Sequence, residues 1–597
     1  MCATRPLVLL LQLPIPPPGF VPVRGNVPLA AGYLKLFARR RGLEDRCRVE
    51  LLRATLANTL GDQGLVQAIL VREPWLVGLT CYVWNIERSL WVAQQLKQRR
   101  PDLLVVLGGP EMAIDNRWVL EHAAVDYAVL GEGEQTFAEL LARLLDRPAD
   151  PAAIAATAGL WSRAGRHEPS VRRPLSSLEE ISSPYLEGIL DAADDETMLL
   201  ETTRGCRFKC KFCYYPKSYD RQYFLSEEKV RANLAYAVRR GVKEVFLLDP
   251  TLNQRPDFAR FLRVLREENP DRQFSYSAEL RAEGITAQTA RLLRAANFTE
   301  IEVGLQSVDP LAQSLVARKV PLAAFQRGVR AMRDEGIDVK IDLIVGLPGD
   351  SPDSVRRGFD YLQQSGLCAQ FQVFNLSILP GTALRAEAEA LGLRYQPRPP
   401  YYVLSTPHLS LEEIVSLVEE SQQRFGVEFD PLPAPVLEPP QGAGDAQRMV
   451  RVDLDGPPYE LPGPERRAET FAIWLRARDF HLRRAEAAEL VGRLLADNPH
   501  GTLQVIVEPT GEVDGRLDAV LDAIHEACFR STSYLDRYYS LTGGSAAAKR
   551  IVLLLPGALR SRLGAAWIAA TAQRACILWG GGGLCADDLE GHEYLCS

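Results

Sequence analysis

The sequence predicts an α/β protein built from three sheet-bearing regions in line, and three observations predict it. Short apolar runs suited to buried parallel strands alternate with helical stretches over residues 1–150. The alternation returns, more regularly, over residues 195–405. Five prolines then crowd into Pro431–Pro440, followed by Gln-Gly-Ala-Gly, which is the composition of a stiff linker ahead of a last region.

In the first region the strand candidates are Leu7–Leu13, Leu76–Thr80, Leu103–Leu107 and Tyr127–Leu130. Pro28–Arg40 and Ile86–Arg100 read as helices between them, and Gly131-Glu132-Gly133-Glu134-Gln135 leads into another from Thr136. Strand and helix in alternation predict a doubly wound sheet. In the second region the candidates are Met198–Thr203, Glu244–Asp249, Phe274–Ala278, Glu300–Leu305, Asp338–Val345 and Gln372–Ile378. Eight strand–helix units usually need about 250 residues, so these six predict a partial (β/α)6 barrel. In the third region Glu465–Asp497 and Leu517–Phe529 read as helices, Thr502–Val507 and Arg550–Leu555 as strands, which predicts a small α/β domain. The expected boundaries are residues 1–150, a connector over 151–190, the barrel over 191–405, a helix and proline-rich linker over 406–445, and a candidate substrate-binding domain over 446–597.

The 597 residues are 47% hydrophobic and 24% charged, ordinary values for a globular chain with several cores. A net charge of −7 gives no sign of a nucleic-acid partner, which would call for a basic patch. The apolar run Leu7–Leu13 follows Arg5 but breaks at Pro14, Pro16, Pro17 and Pro18 without a small-residue cleavage site, so a buried first strand is preferred to a signal peptide. No stretch reaches the ~18 apolar residues of a membrane span. The expected location is cytoplasmic, with no membrane partner.

Eleven cysteines are spread along the chain, and three of them fall within eight residues. The segment Arg204-Gly205-Cys206-Arg207-Phe208-Lys209-Cys210-Lys211-Phe212-Cys213 has the spacing C-x3-C-x2-C and follows the first barrel strand. That places it at the carboxyl mouth of the barrel, where such folds keep their chemistry. Three thiolates on one loop can hold three irons of a cubane and leave the fourth open to a ligand. A closed zinc site wants four protein ligands, and no fourth Cys or His lies nearby in sequence. Arg204, Arg207, Lys209 and Lys211 place positive charge beside an anionic cluster, which raises its reduction potential.

These residues resemble the signature of the radical S-adenosylmethionine (SAM) superfamily, C-x3-C-x2-aromatic-C, with Phe212 at the aromatic position. The resemblance continues in order through Phe246–Asn253, Ser277–Ala282, Glu302–Ser307, Asp342–Gly349 and Leu379–Thr382. It implies a [4Fe-4S] cluster on Cys206, Cys210 and Cys213 and SAM on the open iron, cleaved by an electron to methionine and a 5′-deoxyadenosyl radical. It assigns SAM contacts to Phe212, Glu279, Arg281, Gln306 and Ser307, and an electron donor such as flavodoxin or ferredoxin as partner.

Ahead of the barrel, Gly25–Leu34, Gly78–Asn85, Gly108-Gly109-Pro110-Glu111 and Leu130–Glu134 are similar to the cobalamin-binding radical SAM family. This implies a Rossmann-like domain with cobalamin held by Asn26, Cys81, Tyr82, Asn85, Gly108, Gly109, Glu111, Gly131, Glu132 and Gly133. Glycines at strand ends let backbone lie against a flat ligand. The chain departs from methionine-synthase-like domains in lacking D-x-H-x-x-G, since His122 follows Leu120-Glu121. The expectation is cobalamin without histidine on cobalt.

The resemblance implies a C-methyltransferase that moves a methyl group from SAM through methylcobalamin to an unreactive carbon of a specialised-metabolism substrate, a small molecule or peptide. Two alternatives keep the same motifs: a non-methylating rearrangement or cyclisation with the same cofactors, and a radical SAM enzyme without cobalamin. In the third region Cys576, Cys585 and Cys596 raise an auxiliary cluster, although their spacings are looser than the usual paired motifs, and Tyr534, Tyr538 and Tyr539 stand at near-helical spacing as core or as a substrate wall.

Overall fold

The computed structural model describes residues 5–595 apart from 147–149, 166–169, 171, 195, 216–217, 368–369, 441–445, 542–547 and 581–593. Three six-stranded sheets follow one another along the chain.

The first sheet holds β1 (Leu7–Gln12), β2 (Arg48–Leu51), β3 (Leu76–Thr80), β4 (Leu104–Gly108), β5 (Tyr127–Val129) and β6 (Leu160–Ser162) in the order β2-β1-β3-β4-β5-β6. The first five run parallel and β6 pairs antiparallel on β5. β1 and β3 are buried along their whole length, as expected of central strands covered on both faces. The chain leaves β1 for β2 on one side and returns to β3 on the other. This reversal opens a crevice at the carboxyl ends of β1 and β3, the place where doubly wound sheets bind ligands.

The second sheet starts with β7 (Thr197–Leu200). A ribbon of β8 (Thr203–Arg204) and β9 (Tyr223–Phe224) then carries the cysteine loop. β10 (Glu244–Leu247), β11 (Ser275–Leu280), β12 (Phe298–Gln306), β13 (Asp338–Val345) and β14 (Gln370–Asn375) complete a sheet that is parallel throughout and in chain order. Sequential parallel strands with intervening helices form the expected partial barrel. Its helices are locally well specified: Ser226, Ser351 and Ser410 cap their first turns, and Gly241, Gly366 and Gly426 end them in the left-handed conformation. A short ribbon, β15 (Arg394–Tyr395) with β16 (Val403–Ser405), closes the region.

The third sheet comprises β17 (Gln447–Asp453), β18 (Arg467–Ala477), β19 (Thr502–Pro509), β20 (Lys549–Pro556), β21 (Cys576–Gly580) and β22 (Tyr594–Leu595), with only the last antiparallel. One sequence expectation is corrected here. Glu465–Asp497 is not helical throughout: Arg467–Ala477 is a strand, and the helix occupies Phe480–Asp497. Thr470, Phe471, Ile473 and Trp474 favour a pleated backbone, and this strand is buried over nearly its whole length between β17 and β19. Tertiary burial outweighed the helix-forming Glu, Arg and Ala content.

The third sheet is tied to the first at the amino ends of its strands. Thr502 Oγ1 donates to Pro17 O at 2.9 Å, and Val436 and Gln504 exchange hydrogen bonds of 3.0 and 2.6 Å. A buried ion pair, Arg88–Asp62 at 2.7 Å, accepts His500 N–H at 2.8 Å. The proline-rich segments thus serve as packing straps against the sheet.

Candidate active site: two adjoining cavities

Cys206, Cys210 and Cys213 lie on the loop between β8 and β9, beyond the carboxyl end of β7. Asp249, at the end of β10, fixes the approach to this loop by accepting from Thr202 N at 3.1 Å and Thr202 Oγ1 at 2.6 Å. Burial pushes the Asp249 carboxyl up to about 6. The three cysteines line a cavity of about 130 Å³ together with Phe212, Glu279, Arg281, Glu302, Gln306, Arg318 and Asp342.

The donors around the sulfurs suit thiolates. Gln254 Nε2 donates to Cys206 Sγ at 3.4 Å, and Arg318 Nη1 to Cys210 Sγ at 3.9 Å. Among the described residues, no three His, Cys, Asp or Glu side chains gather around a single-ion position. The thiols stand around one cavity instead, each available to a different iron.

The rest of the cavity is polar and incompletely satisfied. The register of β12 against β13 shifts between Gly304 and Gln306, and Gln306 sits at φ +68°, so the bulge re-aims its side chain. Gln306 Oε1 and Arg318 Nε are buried without a hydrogen-bond partner. Such orphans are costly unless a ligand satisfies them. Burial, with the neighbouring Glu302 carboxylate, pushes Glu279 up to about 7, and the same two causes hold Asp342 well above the carboxylate range. A ligand bringing amino, sulfonium and hydroxyl groups would satisfy this set, and SAM carries all three.

Of the sequence-predicted SAM contacts, Phe212, Glu279, Arg281 and Gln306 line this cavity. Arg281 also lies over the Phe208 ring at 3.9 Å and pairs with Glu283 at 2.5 Å. Ser307 faces elsewhere: its hydroxyl donates to Asp350 at 3.4 Å and accepts from Asp309 N at 3.1 Å, because the bulge turns successive side chains apart. Arg318, Gln254, Glu302 and Asp342 were missed. Glu302 and Asp342 could have been noticed as charges inside otherwise apolar strands.

The second cavity, about 490 Å³, opens at the carboxyl ends of β1, β3, β4 and β5. Tyr82, Gly108, Gly109, Gly131, Glu132 and Gly133 line it. A Cβ on Gly108 or Gly131 would project into open space, so the missing side chains leave room for a flat ligand. Gly109 is held at φ +102° with a Cβ position only 2.6 Å from Cys81 O, where any side chain would clash. Tyr82 and Trp84 stack at 4.5 Å and both line the cavity. No histidine lines it among the described residues.

Four predicted contacts support the wall rather than form it. Asn26 bonds Gln12 and Asn58. Asn85 bonds Leu13 O, Thr80 O and Tyr82 N, holding the loop after β3. Cys81 is fully buried beneath it. Glu111 accepts from the Tyr401 hydroxyl at 2.7 Å and Asn116 at 3.0 Å, which joins this domain to the barrel. Short polar side chains in turns satisfy backbone groups as readily as ligands, so sequence alone does not separate the two roles.

The sequence reading missed the barrel's contribution to this cavity: Glu201, Arg204, Tyr214, Tyr215 and Tyr219. Arg204 is buried and bonds Glu132 at 2.6 Å, Glu134 at 2.8 Å and Glu201 at 3.0 Å. Burial, and then the Glu134 carboxylate beside it, pushes Glu132 upward. Tyr215 lines both cavities.

The radical SAM superfamily matches residues 200–362, which contain the cysteine loop and the strands around the first cavity. The B12 binding domain matches residues 26–141, which contain the glycines of the second. The chain carries a B12-binding domain followed by a radical SAM domain. This pair implies a [4Fe-4S] cluster, SAM and cobalamin as cofactors. The chain is 30% identical over 358 residues to the cobalamin-dependent radical SAM methyltransferase TokK of Streptomyces tokunonensis, an alignment that covers 55% of this chain and 51% of TokK. It is 28% identical over 361 residues to the 2-(S-pantetheinyl)-carbapenam-3-carboxylate methyltransferase of Streptantibioticus cattleyicolor, with the same coverage. It therefore spans about half the length of these curated relatives. Among solved structures, the radical SAM methyltransferase TsrM of Kitasatospora setae superposes with a TM-score of 0.53 at 20% identity, over 67% of this chain and 80% of TsrM. The cobalamin-dependent radical enzyme OxsB gives 0.50 at 18% identity, over 71% and 62%. Both share the fold.

No helix among the described residues is long and apolar enough to cross a membrane. Cys576 is buried in β21, and Cys585 and Cys596 lie outside the described residues.

Proposed function

We propose that this chain is a cobalamin-dependent radical SAM methyltransferase that moves a methyl group from SAM, by way of cobalamin, to an unreactive carbon of a specialised-metabolism substrate. The observation that carries the reading is the adjacency of the two cavities, one built on the cluster cysteines and the other on the glycines of the B12-binding domain, with Tyr215 common to both. When bound, the cluster and SAM supply a hydrogen-abstracting radical and cobalamin supplies the methyl group.

The chain's own residues have separate tasks. Cys206, Cys210 and Cys213 hold the cluster, and Gln254 and Arg318 temper the charge on its sulfurs. Glu279, Gln306 and Arg318 orient SAM from the barrel strands and the loop after β12. Gly108, Gly109, Gly131 and Gly133 admit the corrin, and the Arg204–Glu132 pair fixes the domain carrying it against the cysteine loop. Packing the radical site between two domains excludes water from a reactive intermediate.

The helix Tyr534–Tyr539 of the third region is assigned to the substrate side of the barrel mouth. Asn375, at the carboxyl end of β14, donates to Leu541 O at 3.1 Å, the Tyr402 and Tyr538 rings lie 6.0 Å apart, and Arg537 bridges Pro399 O and the Glu87 carboxylate. The expected partners are a small-molecule or peptide substrate and an electron-transfer protein, in the cytoplasm.

Comparative metabolite mass spectrometry tests this. A host carrying the gene is compared with one carrying the Cys206→Ala form. A metabolite heavier by one CH2, present only with the intact protein, supports the proposal. A rearranged or cyclised product with no added carbon contradicts it.

A further inference from the structure

Tyr215 is two residues beyond Cys213 on the cysteine loop, and its ring stands at the junction of the two cavities. On one side it shares a wall with Cys213, Glu279 and Gln306. On the other it shares a wall with Tyr82, Gly109 and Arg204. Tyr215 is 37% exposed and lines both cavities. Tyr214 packs against it edge-on at 6.4 Å and supports it from the loop side.

We propose that Tyr215 is a positioning residue, the partition between the SAM and cobalamin cavities, and that it couples the binding of the two cofactors. A ring bounded by ligand on only one side keeps freedom that the second ligand must remove. Filling either cavity orders the ring, so the other ligand then binds at lower entropic cost. Coupling of this kind is reciprocal. The bulk of the ring carries the effect, so phenylalanine replaces tyrosine and alanine does not. The proposal rests on the cofactor assignment above, and its readout is equilibrium binding, with no turnover.

The test measures hydroxocobalamin affinity of the anaerobically reconstituted, cluster-loaded full chain, without reductant, in the presence and absence of saturating SAM. In the wild-type protein and in Tyr215→Phe, SAM tightens hydroxocobalamin binding by about fivefold, near the lower end of typical coupling between sites. In Tyr215→Ala, both ligands bind, the iron content matches wild type, and the tightening is lost. A Tyr215→Ala protein that keeps the full tightening overturns the proposal, as does a wild-type affinity that does not respond to SAM. A wild-type protein that binds no hydroxocobalamin overturns the cofactor assignment instead.

Discussion

The Arg204 guanidinium donates to the Glu132 carboxylate at 2.6 Å, joining the strand that leads into the cysteine loop to the loop after β5 of the B12-binding domain. Glu134 and Glu201 share the same guanidinium, so one buried cation answers three carboxylates. Removing it leaves those charges uncompensated at the wall of the second cavity. Breaking a buried pair from one side costs about 3–5 kcal/mol. Arg204→Ala is therefore expected to lower thermal stability sharply and to lose cobalamin, with Glu132→Gln milder on both counts. Calorimetry and the corrin absorbance of reconstituted protein check this.

Gly108 separates the two cofactors experimentally. It lines the second cavity, and nothing lies within 4 Å of where its Cβ would be. Gly108→Val fills ligand space without a clash in the folded chain. Hydroxocobalamin affinity is expected to fall by at least tenfold, while iron content stays at the wild-type value, as read by equilibrium dialysis and iron analysis.

Arg318 sits 3.9 Å from Cys210 Sγ and also bonds Gly304 O. A cation donating to a cluster sulfur stabilises the reduced, more negative state. Arg318→Met is expected to lower the cluster midpoint potential by tens of millivolts, with Arg318→Lys restoring part of the loss. Redox titration followed by electron paramagnetic resonance measures it.

Glu469 gives a pH dependence of stability at the seam between the first and third sheets. Its amide bonds Thr59 O, and its Oε2 is buried without a partner. Burial raises its carboxyl from the ordinary 4.5 to about 7. The folded state thus favours the protonated acid. Its contribution is intact below the ordinary range and is lost as pH rises through about 7. Glu469→Gln removes the cost of ionising a buried acid, a gain of ~3 kcal/mol at pH 8 that falls to below ~1 kcal/mol at pH 5. Melting temperatures of both proteins at the two pH values check the sign.

Much of this arrangement was legible because it is written in local pattern. Leu76–Thr80 announces a buried strand as a short apolar run, and the cysteine spacing specifies its loop without help from the rest of the chain. What escaped is what depends on distant partners. Arg467–Ala477 reads as helix until its neighbouring strands bury it. Glu111 reads as a cobalamin contact, and the sequence gives no sign that its carboxylate accepts from Tyr401, 290 residues away. Arg204 reads as charge beside a cluster, although two of its three carboxylate partners, Glu132 and Glu134, sit on the other domain. Ser307 is turned from the first cavity by a bulge that no spacing rule reveals.

The measurement closest to the central claim follows the methyl group. Reconstituted protein is incubated without oxygen with SAM bearing a deuterated methyl, hydroxocobalamin and titanium(III) citrate. The account predicts S-adenosylhomocysteine and deuterated methylcobalamin formed together, and 5′-deoxyadenosine that disappears in Cys206→Ala. Cleavage to 5′-deoxyadenosine with neither S-adenosylhomocysteine nor label on the corrin would contradict it.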